Sequence, residues 1–270
     1  MTGAPDLGGF SAVDRSADPA GYAAYLDGVR AVGAVGAWKE RSFALLEPRP
    51  GAVIVDAGCG TGEDVAALAR LVAPGGRAIG VDASEEMIAR ARERNGVPGA
   101  RFVVASATAL GLPDAAADGV RAERLLQHLD DPAAAVREMA RVLRPGGVAV
   151  VADGDWDSLV IDAEDLEAAR ALADAAAGSV RSPAVGRGLR RMMRDAGLAD
   201  VEVLARTLVV TDLATADLLF GLPRALEAAV AAGALDAERA ARLRAGLRRD
   251  DAAGRHLVAM TSFMARGRAR

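Results

Sequence analysis

A short apolar run that ends in an acid and continues into a glycine-rich loop constrains this chain more than any other segment. Residues 53–64 read VIVDAGCGTGED. This pattern predicts a buried strand, a tight turn and the start of a helix. Glycine lets a backbone approach a ligand closely because it has no Cβ, and open α/β sheets bind ligands at the carboxyl ends of their strands. The segment therefore predicts a ligand-binding loop.

A second acid, Asp82, closes the next apolar run, residues 78–81. It follows the loop by about 20 residues, which is the separation expected for an acid that binds a ribose. Together, the loop and Asp82 predict a site for a nucleoside-like cofactor.

Strand and helix patterns alternate through the first 155 residues. Such alternation predicts parallel strands joined by right-handed crossovers. We expect strands at 53–57, 78–82, 101–105, 118–122 and 148–153, with helices at about 63–73, 84–95 and 132–143 between them. The segment 144–147 (RPGG) reads as a turn. Two further helices, at about 163–177 and 185–196, precede strands at about 201–210 and 256–265. The fold class is therefore α/β: a Rossmann-like, doubly wound, seven-stranded and mostly parallel sheet.

The chain divides into three parts within one domain. Residues 1–50 form an N-terminal arm and helical cap, with a loose arm to about residue 20 and a helix from Tyr22 to Leu46. Residues 51–155 form the cofactor-binding core. Residues 156–270 complete the α/β core and carry a helical insertion at 212–250. Such an insertion either covers a site or forms an oligomer contact, so a homodimer stays open.

Composition narrows the function classes. An apolar content of 51% supports a sizeable core, and a formal charge of −4 argues against a general nucleic-acid surface. Cys59 is the only cysteine, and with two histidines in the chain we expect no metal site. No apolar segment reaches membrane-spanning length, and the N-terminus does not read as a secretory signal. We expect a cytoplasmic protein with no membrane or nucleic-acid partner.

Four motifs in order resemble those of the class I S-adenosylmethionine-dependent methyltransferases. They are the acid-x-Gly-x-Gly-x-Gly loop from Asp56 to Gly62, the acid Asp82, the segment 117–132 and the turn at 143–147. The resemblance covers residues 50–155 in detail. Within the family, the chain is most similar to the small-molecule branch of quinone-biosynthesis and natural-product methyltransferases.

The resemblance implies S-adenosylmethionine as the cofactor and assigns roles to individual residues. The glycines wrap the amino-acid portion, Asp82 binds the ribose hydroxyls, and Ala83 and Met87 form a wall against adenine. Ser106 stands where the family often has an acid, which puts cofactor affinity in doubt. The implied cofactor-binding residues are Asp56, Gly58, Cys59, Gly60, Thr61, Gly62, Asp82, Ala83, Met87, Ser106, Ala107 and Glu123. We expect Cys59 to pack rather than to react.

Catalytic and substrate residues follow less directly. His128 could act as a general base because its ordinary pKa lies near neutrality, and Asp155 could accept a substrate proton. Tyr25, Arg124 and Trp156 are the expected substrate contacts. For each of these five residues a purely structural role, in the core, in a turn or in an ion pair, stays open.

The implied reaction is methyl transfer to an oxygen, nitrogen or carbon atom of a small organic acceptor, in secondary metabolism or quinone-type biosynthesis. One alternative is a protein of the same fold that binds the cofactor and catalyses a non-methylating rearrangement. A nicotinamide-dependent oxidoreductase fits less well, because only Thr61 separates the second and third glycines. A non-enzymatic scaffold would not need the cofactor motifs.

Overall fold

The computed structural model describes residues 5–270, in which seven strands form one sheet. The strands are β1 (Val53–Ala57), β2 (Arg77–Asp82), β3 (Ala100–Val104), β4 (Ala117–Glu123), β5 (Leu143–Ile161), β6 (Ala199–Val210) and β7 (Val258–Arg268). Their order is β3-β2-β1-β4-β5-β7-β6. Only β7 runs against the others, because it pairs antiparallel with both β5 and β6 while the remaining pairs are parallel. The predicted fold class is confirmed.

Helices flank the sheet. They are α1 (Pro19–Ala31), α2 (Gly33–Leu45), α3 (Glu63–Leu71), α4 (Glu85–Arg94), α5 (Pro132–Val142), α6 (Leu166–Ala177), α7 (Val185–Asp195), α8 (Leu213–Phe220), α9 (Leu222–Ala231) and α10 (Ala237–Ala252). Two 3-10 segments, Leu7–Arg15 and Leu126–His128, complete the described elements. No helix among residues 5–270 is long and apolar enough to cross a bilayer.

The central strands are apolar on both faces because helices cover both faces. Successive side chains of a strand point to opposite sides. Ile54 accordingly joins a cluster with Val65 and Leu68 of α3, whereas Val55 joins a cluster with Met139 of α5 and Leu189 of α7. This arrangement leaves the carboxyl ends of β1, β2 and β4 free to carry polar groups.

The N-terminal region differs from the prediction in two ways. The predicted helix from Tyr22 to Leu46 is broken at Val32, whose extended backbone separates α1 from α2. The predicted loose arm contains the 3-10 segment Leu7–Arg15, which packs onto the fold through buried Leu7 and Val13. Residues 1–4 of that arm lie outside the described part of the chain.

Strand β5 is much longer than predicted. It includes residues 144–147, which the sequence predicted as a turn, and it continues past Trp156 to Ile161. Its pairing with β7 is interrupted between Asp155 and Val160. The acids after residue 153 therefore lie along an irregular strand and not in a loop.

The helical insertion predicted at 212–250 corresponds to α8, α9 and α10. These helices separate β6 from β7, which still pair along nearly their full length. Apolar residues of the insertion share one buried cluster with α6, with Trp156 of β5 and with Leu7 and Val29 of the N-terminal region. The three-part division of the chain stays a prediction.

Candidate active site

A cavity of about 340 Å³ lies at the carboxyl ends of β1, β2 and β4. Its walls are the glycine loop after β1, the acid that ends β2, the residues that follow β4, and the N-terminal segments that cover them. Small-molecule sites in proteins typically occupy about 300–1,000 Å³. The cavity therefore has the size and the position of a ligand site in an open α/β sheet.

The glycine loop needs its glycines. Gly58, Gly60 and Gly62 have φ values of 71°, 52° and 85°, which L side chains rarely adopt. A Cβ on Gly58 would also lie 2.7 Å from Leu125, and one on Gly62 would lie 2.6 Å from Phe102. Gly58 and Gly60 line the cavity with backbone alone, beside Leu125 and Leu26, while Gly62 packs inward as the residue that precedes α3.

Asp82 holds the centre of that loop. One carboxylate oxygen accepts a hydrogen bond from the backbone N–H of Gly60 at 2.9 Å, and the other accepts from the N–H of Ser84 at 3.0 Å. Burial raises the pKa of Asp82, although these backbone donors oppose the rise. Because a carboxylate has about four acceptor positions, both oxygens retain capacity for a ligand's hydroxyl groups.

A buried charge cluster lies beneath the loop around Arg121, which is 1% exposed. Its guanidinium contacts Asp56 at 2.8 Å, Asp64 at 3.2 Å and Glu123 at shorter range. Lys39 of α2 adds a second cation to Asp64 and Glu123. Burial raises the pKa of Asp56 to about 6, against the opposing charge of Arg121. The acids predicted for the cofactor at 56 and 123 are thus ion-paired within the protein.

A hydrogen-bond chain fixes the protonation of His128. The Trp156 indole can only donate, so its 2.7 Å bond identifies the Gln127 side-chain oxygen as the acceptor. The Gln127 amide nitrogen then donates to Nε2 of His128 at 3.0 Å. The single N–H of the neutral imidazole is therefore at Nδ1, which is buried and has no hydrogen-bond partner among the described residues.

The prediction of His128 as a general base is corrected by this geometry. Burial, followed by the nearby charge of Arg124, lowers the pKa of His128 to about 3. Its one available lone pair already accepts from Gln127. An imidazole in this state is a hydrogen-bond donor at neutral pH and not a proton acceptor.

The prediction of Asp155 as a catalytic acceptor is also corrected. Both of its oxygens bind Arg187 of α7, at 2.5 and 2.6 Å, and it does not line the cavity. Asp153, two residues earlier, lines a second, smaller cavity next to the main one. It accepts backbone hydrogen bonds from Leu126 at 2.9 Å and Gly154 at 3.2 Å, and burial raises its pKa to about 7.

The structure brings most of the predicted residues to one cavity. The lining residues among the predicted cofactor contacts are Asp56, Gly58, Cys59, Gly60, Thr61, Asp82, Ala83, Met87, Ser106, Ala107 and Glu123. The predicted substrate contacts Tyr25, Arg124 and Trp156 line it as well. Burial raises the pKa of Cys59 well above its ordinary value, so its thiol stays protonated. The Ser106 hydroxyl is hydrogen-bonded to Thr108 at 2.9 Å.

Sequence reasoning missed the N-terminal wall of the cavity. Leu7, Phe10 and Val13 line it from the segment predicted as a loose arm, and Arg30 and Lys39 line it from α1 and α2. The three apolar residues at spacing three were a signal, because a solvated arm has no need for them. Arg121 was a second signal, because an arginine in the middle of a buried strand indicates buried acidic partners nearby.

A smaller cavity of about 60 Å³ continues the main one toward β6 and β7, and we name it the inner chamber. Tyr25, Arg124 and Trp156 line both spaces, which makes them continuous. The residues that line only the inner chamber include Trp38, Asp153, Arg206, Phe220 and Ser262. The site therefore has two compartments, one at the glycine loop and one against the last strands.

Comparison with known proteins agrees with this geometry. Residues 55–151 match the family model described as "Methyltransferase domain". An uncharacterized 37.1 kDa protein in transposon TN4556 of Streptomyces fradiae is 42% identical over 79% of this chain and 62% of its own length. The ubiquinone/menaquinone biosynthesis C-methyltransferase UbiE of Caulobacter vibrioides is 37% identical over 41% of this chain and 47% of its own. The chain thus spans about half to three fifths of the length of these relatives.

Solved structures share the fold. The YcgJ protein of Bacillus subtilis superimposes with a TM-score of 0.60 at 22% identity, covering 86% of this chain and 99% of its own. The [4+2]-cyclase SpnF superimposes with a TM-score of 0.50 at 23% identity, covering 86% and 81%. At these identities the likeness concerns the fold alone.

The sheet order, the glycine loop and the cavity above it define an α/β protein that binds a nucleoside-like cofactor at its carboxyl edge. More narrowly, the chain contains a methyltransferase domain and has the fold of the class I S-adenosylmethionine-dependent methyltransferases. The resemblance found in the sequence is confirmed, and S-adenosylmethionine is the cofactor of this class.

Proposed function

We propose that the protein transfers the methyl group of S-adenosylmethionine to a small organic acceptor. The observation that carries this proposal is the glycine loop held at its centre by Asp82, above a cavity of about 340 Å³. Gly58 and Gly60 present bare backbone to the cavity, and Asp82 retains acceptor capacity beside them. The residues present fit the cofactor that the domain implies.

The residues of the chain would divide the work as follows. Gly58, Gly60 and Thr61 hold the amino-acid portion, and Asp82 accepts hydrogen bonds from the ribose hydroxyls. Ala83 and Met87 lie beside Asp82 on the same wall and provide the apolar surface for adenine. S-adenosylmethionine supplies an electrophilic methyl group. The protein contributes orientation and exclusion of water, which together account for much of the rate in such reactions.

An acceptor that loses a proton during methylation requires a general base, and Asp153 is the group that fits this role best. It lines the inner chamber, and its pKa of about 7 lies close to the optimum for a general base at neutral pH. The neutral His128 would donate a hydrogen bond through Nδ1. The acceptor would therefore lie between Asp153 and the glycine loop, beside Trp156.

The methylated atom of the acceptor is an oxygen, a nitrogen or a carbon. The likeness to UbiE, which covers 41% of this chain, favours a role in quinone-type biosynthesis. The likeness to SpnF shows that this fold also serves a cyclase, which keeps a non-methylating rearrangement as the second candidate. Product mass separates the two, because methylation adds one methylene and a rearrangement adds nothing.

Substitution of Asp82 tests the cofactor assignment. We expect Asp82→Asn to weaken the binding of S-adenosylhomocysteine by about tenfold or more in calorimetry, because a charged hydrogen bond is worth about 1.5–3 kcal/mol. The matched control is Asp212→Asn, which alters a carboxylate that also accepts a backbone N–H, from Thr215, but lies outside the cavity.

The control should bind S-adenosylhomocysteine as the unaltered protein does. Equal affinity in Asp82→Asn, with the fold intact by circular dichroism, would refute the ribose assignment. Absence of binding in the unaltered protein would refute the proposed function itself.

A further inference from the structure

The inner chamber contains charge that the cofactor assignment does not use. Its walls are largely apolar, with Val35, Leu208, Phe220 and Met260 among them. Two guanidinium groups, those of Arg124 and Arg206, nevertheless line it. Both side chains are half-buried, so their charges are partly solvated. A buried hydrogen-bond donor without a partner is what calls for a ligand in such a place.

Arg206 is fixed in place without an acidic partner. Its guanidinium carbon lies 4.7 Å from the centre of the Trp38 ring, and one terminal nitrogen donates to the carbonyl of Ala34. The Nε–H of Arg206 is buried and has no hydrogen-bond partner among the described residues. Residues 5–270 provide no carboxylate that forms an ion pair with it. The Trp38 ring and the Ala34 carbonyl thus hold the guanidinium where its free Nε–H can donate to an anion.

Arg124 occupies the passage between the two cavities. It follows β4 with a φ of 51°, an unusual value for a residue other than glycine, and its N–H donates to the carbonyl of Ala152. Its charge lies close enough to the Tyr25 hydroxyl to oppose the rise that burial causes in the pKa of Tyr25. Within the described chain it too lacks a carboxylate partner at ion-pair distance. The strained backbone places a second cation at the entrance.

The acids that face the chamber are already satisfied. Glu123 is paired with Lys39 at 3.0 Å and with Arg121. Asp153 accepts hydrogen bonds from the backbone of Leu126, Gln127 and Gly154. The chamber thus carries two guanidinium groups and two carboxylates, and the carboxylates already have hydrogen-bond partners. The group left without a partner is the Nε–H of Arg206, and this donor favours an acceptor of negative charge.

We propose that the inner chamber binds the carboxylate of a small aromatic or alkyl acid between Arg124 and Arg206, with the apolar body of the acid against Trp156. Calling this acid the methyl acceptor rests on the proposed function, whereas its binding does not. The arrangement directs the acid's far end toward the glycine loop, because the two cavities join at Arg124. It makes Arg206 a residue that selects the substrate class.

The test uses the cofactor-loaded full chain and two isosteric probes, benzoate and benzamide. Both tryptophans of the protein, Trp38 and Trp156, line the inner chamber, so intrinsic fluorescence reports its occupancy. We expect a saturable change with benzoate and at least about tenfold weaker binding of the neutral benzamide, since hydrogen bonds to a charged group are the stronger ones. The pair 2-naphthoate and 2-naphthamide repeats the comparison for a larger body.

Variants assign the preference to Arg206. Arg206→Gln should lose most of the preference for the acid, because only Arg124 then remains to bind the carboxylate, and Arg206→Lys should retain more of it. Arg170→Gln is the control, because Arg170 pairs with Asp174 on the exposed face of α6. A purely structural role of Arg206 would lower thermal stability without changing the ratio of the two affinities.

Three results would overturn the proposal: no saturable response to either acid, equal affinity for acid and amide in the unaltered protein, or a preference that is unchanged in Arg206→Gln. Calorimetry with S-adenosylhomocysteine is run in parallel on each protein. Normal cofactor binding with no preference for acids refutes the anion chamber alone. Loss of cofactor binding with the preference intact refutes the proposed function alone.

Discussion

Asp153 is a buried carboxylic acid whose pKa is close to neutral pH. It is 2% exposed and has no cationic partner within ion-pair distance among the described residues. The backbone N–H groups that donate hydrogen bonds to Asp153 stabilise its charged form. Burial has the larger effect and raises the pKa of Asp153 to about 7. The protein thus keeps an acid that changes its charge close to physiological pH beside the proposed acceptor.

This shift predicts a pH-dependent stability. The folded protein binds the Asp153 proton more tightly than the unfolded chain, whose carboxyl has its ordinary pKa of 3.8. The contribution of Asp153 is therefore full below about pH 4 and is lost as the pH rises toward about 7. The variant Asp153→Asn has no such pH-dependent loss. The free energy of unfolding of the unaltered protein, minus that of the variant, should therefore decrease between about pH 4 and about pH 8.

Urea titrations of both proteins at the two pH values measure this change. Asp212→Asn controls for the loss of a carboxylate that accepts a backbone N–H. An advantage that stays constant, or that grows with pH, would contradict the raised pKa of Asp153.

At the scale of single residues, the sequence predicts positions best where chemistry and position coincide. Asp82 and the three glycines are tied to strand ends by short-range geometry, so the motif alone predicts where they lie, and their contacts with the cofactor stay a prediction. Asp155 failed for a physical reason: which of three nearby acids faces the ligand depends on how β5 twists where its pairing with β7 is interrupted. His128 failed because its pKa depends on burial and on Gln127, and neither is encoded in its spacing.

Among the elements, the N-terminal 3-10 segment is the one with the clearest functional consequence. Asp14 accepts hydrogen bonds from the Ser84 hydroxyl and from the backbone N–H groups of Glu85 at 2.8 Å and Glu86 at 3.3 Å. It therefore adds a second acceptor to the start of α4, next to Asp82. The same segment covers the cavity through Leu7, Phe10 and Val13.

We predict that Asp14→Ala loosens this cover. Losing the capping contacts should cost about 1 kcal/mol of stability and weaken S-adenosylhomocysteine binding by roughly fivefold, because the segment closes the cavity. Limited proteolysis should cut the chain before Tyr22 faster than in the unaltered protein. Calorimetry and the rate of cleavage measure the two effects.

Asp18→Ala is the matched control, because Asp18 caps α1 through Gly21 at 2.9 Å without touching α4 or the cavity. It should lower stability and leave cofactor affinity unchanged. If both variants lose cofactor affinity equally, the docking of Asp14 on α4 has no specific role.

Element prediction was most accurate where local signals repeat and least accurate where distant contacts decide. The strands and helices of residues 53–142 have boundaries within one or two residues of those predicted. The N-terminal segment was missed because its anchor, Ser84, is 70 residues away in sequence. The length of β5 was missed because pairing with β4 and β7 keeps the Pro-Gly-Gly segment extended.

For the whole molecule, the distribution of apolar contacts predicts one cooperative unit. A single buried cluster joins the N-terminal Leu7 and Val29 to α6 and to the insertion helices. Trp156 belongs to that cluster, whereas Trp38 packs against the cluster around Ile54 and Val65. The two tryptophans thus report on different halves of the fold.

We predict that the halves unfold together. Trp38→Phe leaves Trp156 as the reporter, and Trp156→Phe leaves Trp38. Within each variant, the urea midpoint from fluorescence should coincide with the midpoint from far-ultraviolet circular dichroism. Separate midpoints in either variant would show that residues 156–270 form an independent unit and would contradict the single-domain prediction.

The helices between β6 and β7 place Phe220 in the wall of the inner chamber, while every residue of the glycine loop comes from the opposite half of the sheet. The insertion thus forms one wall of the acceptor side through Leu219 and Phe220 and contributes nothing to the glycine loop. Changes within residues 213–252 could therefore reshape that wall, and with it the fit of the acceptor, while the cofactor loop stays untouched.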